Sequence, residues 1–246
     1  MTEINEHRFE FHEALDSIRS DVVKLGALTT ESIARGTAAL LDKDLHAAQV
    51  IIDNDDVLDS LSLQIEEDCY AVLALQNPIA RDLRFVICTI RLQSELERSA
   101  DLMVNVCKAA RRLYDVDFDP RLRGLITEMS HEATFLTRKA IDAYVDEDDG
   151  LASALDDMDS RLDDLQVDYV EAIFSAQSAH TMELRSAVQM ALIGRYYERI
   201  GDHAVNIGER VTYMVTGWLP EHAGAARLKL RLGGADAPDQ GDEPVR

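Results

Sequence analysis

The chain contains one pattern twice. Glu97-Arg-Ser-Ala-Asp101-Leu-Met-Val-Asn105 aligns with Glu198-Arg-Ile-Gly-Asp202-His-Ala-Val-Asn206 at an offset of 101 residues, which also sets Leu83-Arg84 on Leu184-Arg185 without a gap. Upstream, Asp55-x-x-Leu58-Asp59-x-Leu61 matches Asp159-x-x-Leu162-Asp163-x-Leu165 at an offset of 104. Two unrelated helices easily share apolar spacing, but not Glu-Arg, Asp and Val-Asn at the same intervals. A repeat of this length is a duplicated supersecondary unit, and a chain built from one must bury the same faces twice. The three-residue difference between the offsets predicts a shorter loop before the last helix, where Gln76-Asn77-Pro78 has no counterpart.

The repeated unit reads as helical. Only 12 Gly and 5 Pro interrupt 246 residues, and helix formers fill the stretches between them. Pro78, Pro120 and Pro220 each follow a long run of apolar residues at three-and-four spacing, the period of a helix with one buried face. The pattern predicts six helices, at about Phe9–Leu41, Leu45–Leu75, Ile79–Tyr114, Arg121–Val145, Leu151–Ala176 and Thr181–Trp218. Helices of about 30 residues are about 45 Å long, and short loops between them favour up-down-up packing. The expected fold is therefore all-α, two tandem pseudo-symmetric three-helix bundles spanning 1–118 and 119–220. A flexible Gly/Pro/Asp-rich tail is expected over 221–246, with Ala225–Leu232 as a short basic segment.

Charge narrows the partners. With 46 acids against 25 bases the net charge is −21, which repels nucleic acid and anionic lipid and suits cations or basic protein surfaces. Cys69, Cys88 and Cys107 form no CxxC pair and lie in apolar helical stretches, so they read as small buried residues of a reducing compartment. Residues 1–12 are too polar for a signal peptide, and no apolar run approaches a membrane span. A cytoplasmic location without membrane insertion is expected.

The repeated acids carry the chemistry. At about 100° per residue, Asp101 lies about 40° and Asn105 about 80° from Glu97 around the third helix, on the side of Leu83, Val86, Ile87, Ile90 and Val104. Glu198, Asp202 and Asn206 repeat this against Leu184, Ala187, Val188, Ala191 and Val205. Carboxylates continuing an apolar stripe repel one another and lose solvation, and a bound cation relieves both. Asp55 and Asp59 on the second helix, and Asp159 and Asp163 on the fifth, are the partner acids for an oxygen-rich site suited to Mg²⁺, Mn²⁺, Ca²⁺ or iron. Pairing with Arg98 or Arg199, or a wet acidic groove, is the alternative. Repetition of the motif in both copies favours metal.

Arg84 and Arg185 recur after Asp82-Leu83 and Glu183-Leu184. Pairing with nearby acids at a helix start is the simpler reading, an anion contact the other. Glu128-x-x-His131 has the carboxylate–histidine spacing of ferritin-like di-iron sites, but that chemistry needs two such pairs and two further Glu. His203, adjacent to Asp202, is expected to point away from the acidic row. Phosphate loops, nucleophile elbows and Ser/His/Asp or Cys/His sets are missing, and no enzyme activity is expected. A carboxylate-bridged metalloenzyme remains the competing reading.

At Asp82-Leu83-Arg84, Glu97-x3-Asp101-x3-Asn105 and Glu198-Arg-x-x-Asp202-His-Ala-Val-Asn206 the sequence resembles the PhoU family of phosphate-uptake regulators. Pro78-Ile-Ala-Arg-Asp-Leu-Arg84 is similar to that family's segment before the third helix, and Val211-x-Tyr-Met-Val-Thr-Gly217 to its C-terminal end. The likeness runs from about Phe9 to Gly217. It implies a cytoplasmic negative regulator of phosphate uptake and starvation signalling, linking the phosphate ABC transporter ATPase to a sensor histidine kinase, and commonly dimeric. It also implies metal, often multinuclear iron and otherwise zinc, manganese or magnesium. By motif the ligands are Glu97, Asp101, Glu198 and Asp202, completed by Asp55, Asp59, Asp159 and Asp163, with Asn105, Asn206, Arg84 and Arg185 around them. The first copy departs at Ser99-Ala100 and Leu102-Met103, where the second has Ile200-Gly201 and His203-Ala204.

Overall fold

Helix ends in this chain are written with acids, Asn and Pro. Asp44, Asp119 and Asp148 accept the backbone N–H of Ala47, Arg121 and Leu151 and so cap three helices, with Pro120 in the first turn of the second of them. Gly217, at φ 77°, closes the last helix in the left-handed conformation that glycine adopts without strain. A computed structural model describes residues 2–218, with side chains from residue 9. The expected tail over 221–246 lies outside the described residues.

The described elements are α1 (Thr2–Leu41), α2 (Leu45–Asp53), α3 (Asp55–Gln76), α4 (Ala80–Arg112), α5 (Pro120–Asp146), α6 (Asp149–Ser178) and α7 (Leu184–Thr216), with no strand among the described residues. The six expected helices are present within a few residues of their predicted ends, except that α1 starts earlier and the second is broken at Asn54. That residue ends α2 and precedes α3, whose first turn is Asp55-Asp56. Negative charge there suits a helix N-terminus, so Asp53-Asn54-Asp55-Asp56 favours restarting the helix. The expected shorter loop is not found. The α6–α7 connection has five residues against three between α3 and α4, and the second copy is shorter because, at matching positions, α6 ends two residues before α3 does and α7 starts three residues after α4 does.

The two three-helix units, α1 with α2/α3 and α4, and α5 with α6 and α7, pack α4 along α7 and α1 along α5. One apolar core runs through both, from Ile18, Leu25 and Leu92 to Tyr169, Met190 and Ile207. The boundary expected near residue 118 falls in the connection between α4 and α5, and the core continues across it. Buried hydroxyls tie the seam. Thr37 of α1 meets Ser130 Oγ at 2.8 Å and Tyr197 OH at 2.6 Å, and Thr89 of α4 meets Tyr144 OH at 2.8 Å. The three cysteines are free and buried as expected, and burial pushes each thiol up to about 12. No described helix is long and apolar enough to cross a membrane.

Candidate metal centres

The repeated carboxylates gather into two clusters, one in each half. In the first, the break at Asn54 puts Asp55 and Asp59 at the start of α3, opposite Glu97 and Asp101 of α4. Burial pushes the Asp55 carboxyl up to about 6, reinforced by Asp59 and Asp101 and opposed by Lys108. Glu97 is raised by burial and then by Asp101, Asp59 and Asp55, and Asp59 by burial and Asp101. All four acids lie within each other's electrostatic reach. The row does not continue the core, as the helical wheel suggested. Glu97 is half-buried and Asp101 exposed, because α4 turns Leu92, Leu96, Met103 and Val106 inward and carries the acids on the margin.

In the second cluster α6 runs unbroken, so Asp159 and Asp163 sit mid-helix without a helix terminus to favour their charge. Asp159 is 8% exposed, and its Oδ1 is buried with no hydrogen-bond partner. Burial, then Asp163, Asp202 and Asp156, push its carboxyl up to about 7. Asp202 is raised by burial and Asp163 against the pull of Arg195 and Arg199. Glu198 turns to Arg195 on its own helix in an ion pair, leaving its Oε2 buried and unpartnered. Gly201 makes room for Asp159, since a Cβ there would collide with Asp159 Oδ1 and stand 2.8 Å from Leu162 Cδ2. The first copy has Ala100 at that position.

An open groove of about 400 Å³ lies over this second cluster, lined by Asp156, Asp159, Asp163, Asp202, His203 and Asn206 with Arg98 and Arg199. His203 is therefore not turned away from the acidic row, as its place next to Asp202 suggested. It is buried in the α4–α7 seam and still opens into the groove, with Nδ1 2.9 Å from Ser99 Oγ. Burial, with Arg98 and Arg199 nearby, lowers its pKa to about 4. Glu95 is held by Arg98 at 3.4 Å and by Asn206 Nδ2 at 3.4 Å. The sequence reading missed Glu95, Ser99 and Asp156. No spacing rule finds them, because Glu95 and Ser99 reach the site only through the packing of α4 on α7.

The remaining candidates separate. Arg84 packs against the C-terminal end of α7. Its Nε donates to Met214 O at 3.0 Å, satisfying a carbonyl at the C-terminal end of α7, and it stands beside Gly217. Arg185 is exposed in the first turn of α7, and Asn105 is half-buried on α4. Glu128 and His131 are exposed on α5, which carries none of the repeated acids. Among the described residues, no three His, Cys, Asp or Glu side chains converge into a ready-made coordination set.

Comparison with known proteins reproduces the duplication. The PhoU domain matches residues 22–110 and again 126–211, so its two matches begin 104 residues apart and end 101 apart, the two offsets of the internal repeat. The chain is 32% identical to phosphate-specific transport system accessory protein PhoU homolog 1 of Mycobacterium tuberculosis, over 87% of this chain and 96% of that protein. It is 29% identical to PhoU homolog 1 of Thermotoga maritima, over 84% of this chain and 89% of that protein. Among solved structures it resembles PhoU from Pseudomonas aeruginosa (TM-score 0.79, 27% identity, 85% of this chain and all of that one). It also resembles the phosphate transport system regulatory protein PhoU from Streptococcus pneumoniae (TM-score 0.78, 27% identity, 85% and 98%).

Proposed function

The chain belongs to the PhoU family, and we propose that it is a negative regulator of phosphate uptake and starvation signalling. In this reading it is an adaptor between the phosphate ABC transporter ATPase and a sensor histidine kinase, as a cytoplasmic homodimer, with cations in its two acidic clusters. The curated relatives are named accessory proteins of phosphate-specific transport. The observation that carries the reading here is the pair of carboxylate clusters, one in each half. The net charge of −21 suits basic protein partners and cations rather than nucleic acid.

The residues fit a hard or borderline cation. Asp55, Asp59, Glu97 and Asp101 would hold it in the first half, and Asp159, Asp163, Glu198 and Asp202 in the second. Oxygen donors of this kind take magnesium, manganese or iron, and zinc where a nitrogen joins them. In the second half the fit rests on the orphaned buried oxygens Asp159 Oδ1 and Glu198 Oε2 and on the space left at Gly201. A bound cation would neutralise the clusters and draw α3 toward α4 and α6 toward α7, fixing the surface offered to partners. The competing metalloenzyme reading has little support: the relatives are named accessory and regulatory proteins, and Glu128-x-x-His131 stands outside both clusters.

The test is a pull-down from phosphate-replete cells, comparing the wild type with Asp202→Ala. Transporter ATPase and kinase are expected with the wild type and reduced with the variant. Their absence from both would end the adaptor reading.

A further inference from the structure

The second cluster has a histidine the first cannot match, and its hydrogen bonds leave one ring nitrogen ready to bind a metal. Ser99 Oγ carries a single proton and donates it to Glu95 O at 2.8 Å. Toward His203 Nδ1, at 2.9 Å, Ser99 is therefore the acceptor and Nδ1 carries the hydrogen. Nε2 is left as a bare lone pair, the arrangement by which a hydrogen bond at one ring nitrogen orients the other as a ligand.

That lone pair is buried with no hydrogen-bond partner, on a residue only 2% exposed. Glu95 Oε2 stands 3.9 Å away, beyond hydrogen-bond reach and itself an acceptor. Two acceptors thus face each other across a gap, and His203 also lines the groove that Asp202 lines. The charged groups around them are Arg98 and Glu95 of α4, Arg199 and Asp202 of α7, and Asp156, Asp159 and Asp163 of α6. Acids outnumber bases there.

We propose that His203 Nε2 of α7 and the Glu95 carboxylate of α4 are metal ligands at the seam-side edge of the second cluster. This site takes a borderline ion such as Zn²⁺ or Fe²⁺ in preference to Mg²⁺, because an imidazole nitrogen favours such ions over magnesium. The first half lacks the equipment. At the offset of 101 residues, Glu95, Ser99 and His203 correspond to Tyr196, Ile200 and Leu102. The proposal rests on the reading of the clusters as cation sites, and it makes the two sites chemically unequal.

The test loads the metal-free full chain with Mn²⁺ and reads imidazole ¹⁴N coupling by pulsed EPR, then titrates Zn²⁺ and Mg²⁺ calorimetrically. Variants are His203→Gln, which keeps a polar group in the seam, and Glu95→Gln, each checked for helicity by circular dichroism. The wild type is expected to show the coupling, and His203→Gln to lose it. Zn²⁺ affinity at one site should fall roughly 100-fold in His203→Gln and roughly 10-fold in Glu95→Gln, with Mg²⁺ affinity changed less than about 2-fold. Metal bound without ¹⁴N coupling, or coupling that survives His203→Gln, overturns the histidine ligand and leaves the acidic sites standing. A wild type that binds none of the three ions overturns both readings.

Discussion

The two halves descend from one pattern yet treat the same four acids differently. In the first half Asp55 opens a helix, where the macrodipole favours negative charge, and Asp59 and Asp101 are exposed. In the second, α6 passes through without a break and Asp159 is pressed against Gly201 with one oxygen unpartnered. Two small differences produce this contrast, an Asn that restarts a helix and an Ala exchanged for Gly. A duplicated motif therefore conserves which residues meet, while burial and helix position decide how strained each copy is.

The largest test of that contrast is the pH dependence of stability without metal. A carboxyl whose folded pKa lies above its unfolded value contributes stability that is fully present below the unfolded value, near 3.8, and is lost as pH rises through the folded one. For Asp159 that window ends at about 7 and for Asp55 at about 6. Asp59, Glu97 and Asp202 shift the same way. Urea unfolding of the metal-free protein should therefore show these acids withdrawing stability between about pH 4 and 7. Asp159→Asn should raise stability at pH 8 by about 3 kcal/mol, and Asp55→Asn, at a more solvated site, by only about 1 kcal/mol. Equal gains would mean that the halves are electrostatically alike.

Next in size is the exchange of the small residues that distinguish the copies. Gly201→Ala places a Cβ on Asp159 Oδ1 and against Leu162, and should cost about 2 kcal/mol despite the better helix propensity of alanine. The reverse change in the first half, Ala100→Gly, should cost about 1 kcal/mol from propensity and a small lost contact. Thermal unfolding of both variants reads the difference. A Gly201→Ala protein as stable as the wild type would show that α6 does not approach α7 closely there.

Most of the architecture was legible in the sequence, because the three-and-four period and the prolines are local signals. The site was legible in part. Spacing by four found the four acids of each half, since i,i+4 neighbours share a helix side whatever packs beside it. It could not place that side, because a wheel gives the angle between residues but not the direction of the core. For α4 the core face proved to be that of Leu92, Leu96 and Met103. His203 was misplaced for the related reason that about 100° away from Asp202 is where α4 packs. The break at Asn54 and the capping role of Arg84 likewise depend on neighbours that no single-helix pattern contains.

The smallest predicted effect concerns the seam, where the halves also differ. Tyr197 OH shares Thr37 Oγ1 with Ser130, whereas Tyr144 OH meets Thr89 alone, and both rings are fully buried. Tyr197→Phe leaves Thr37 with Ser130 and with Ile33 O at 2.7 Å, so no buried group is orphaned. Its cost should be about 0.5 kcal/mol, one ordinary neutral hydrogen bond or less. Tyr144→Phe leaves Thr89 only its bond to Phe85 O at 2.9 Å. It should cost about 1 kcal/mol, since no second hydroxyl is at hand to replace the phenol. Chemical denaturation of the two variants and of the double mutant ranks them, and costs that add would indicate that the two polar links across the seam act independently. The reverse ranking would mean that the Ser130–Thr37–Tyr197 chain holds the seam cooperatively and that its shared threonine strengthens, rather than duplicates, the contact.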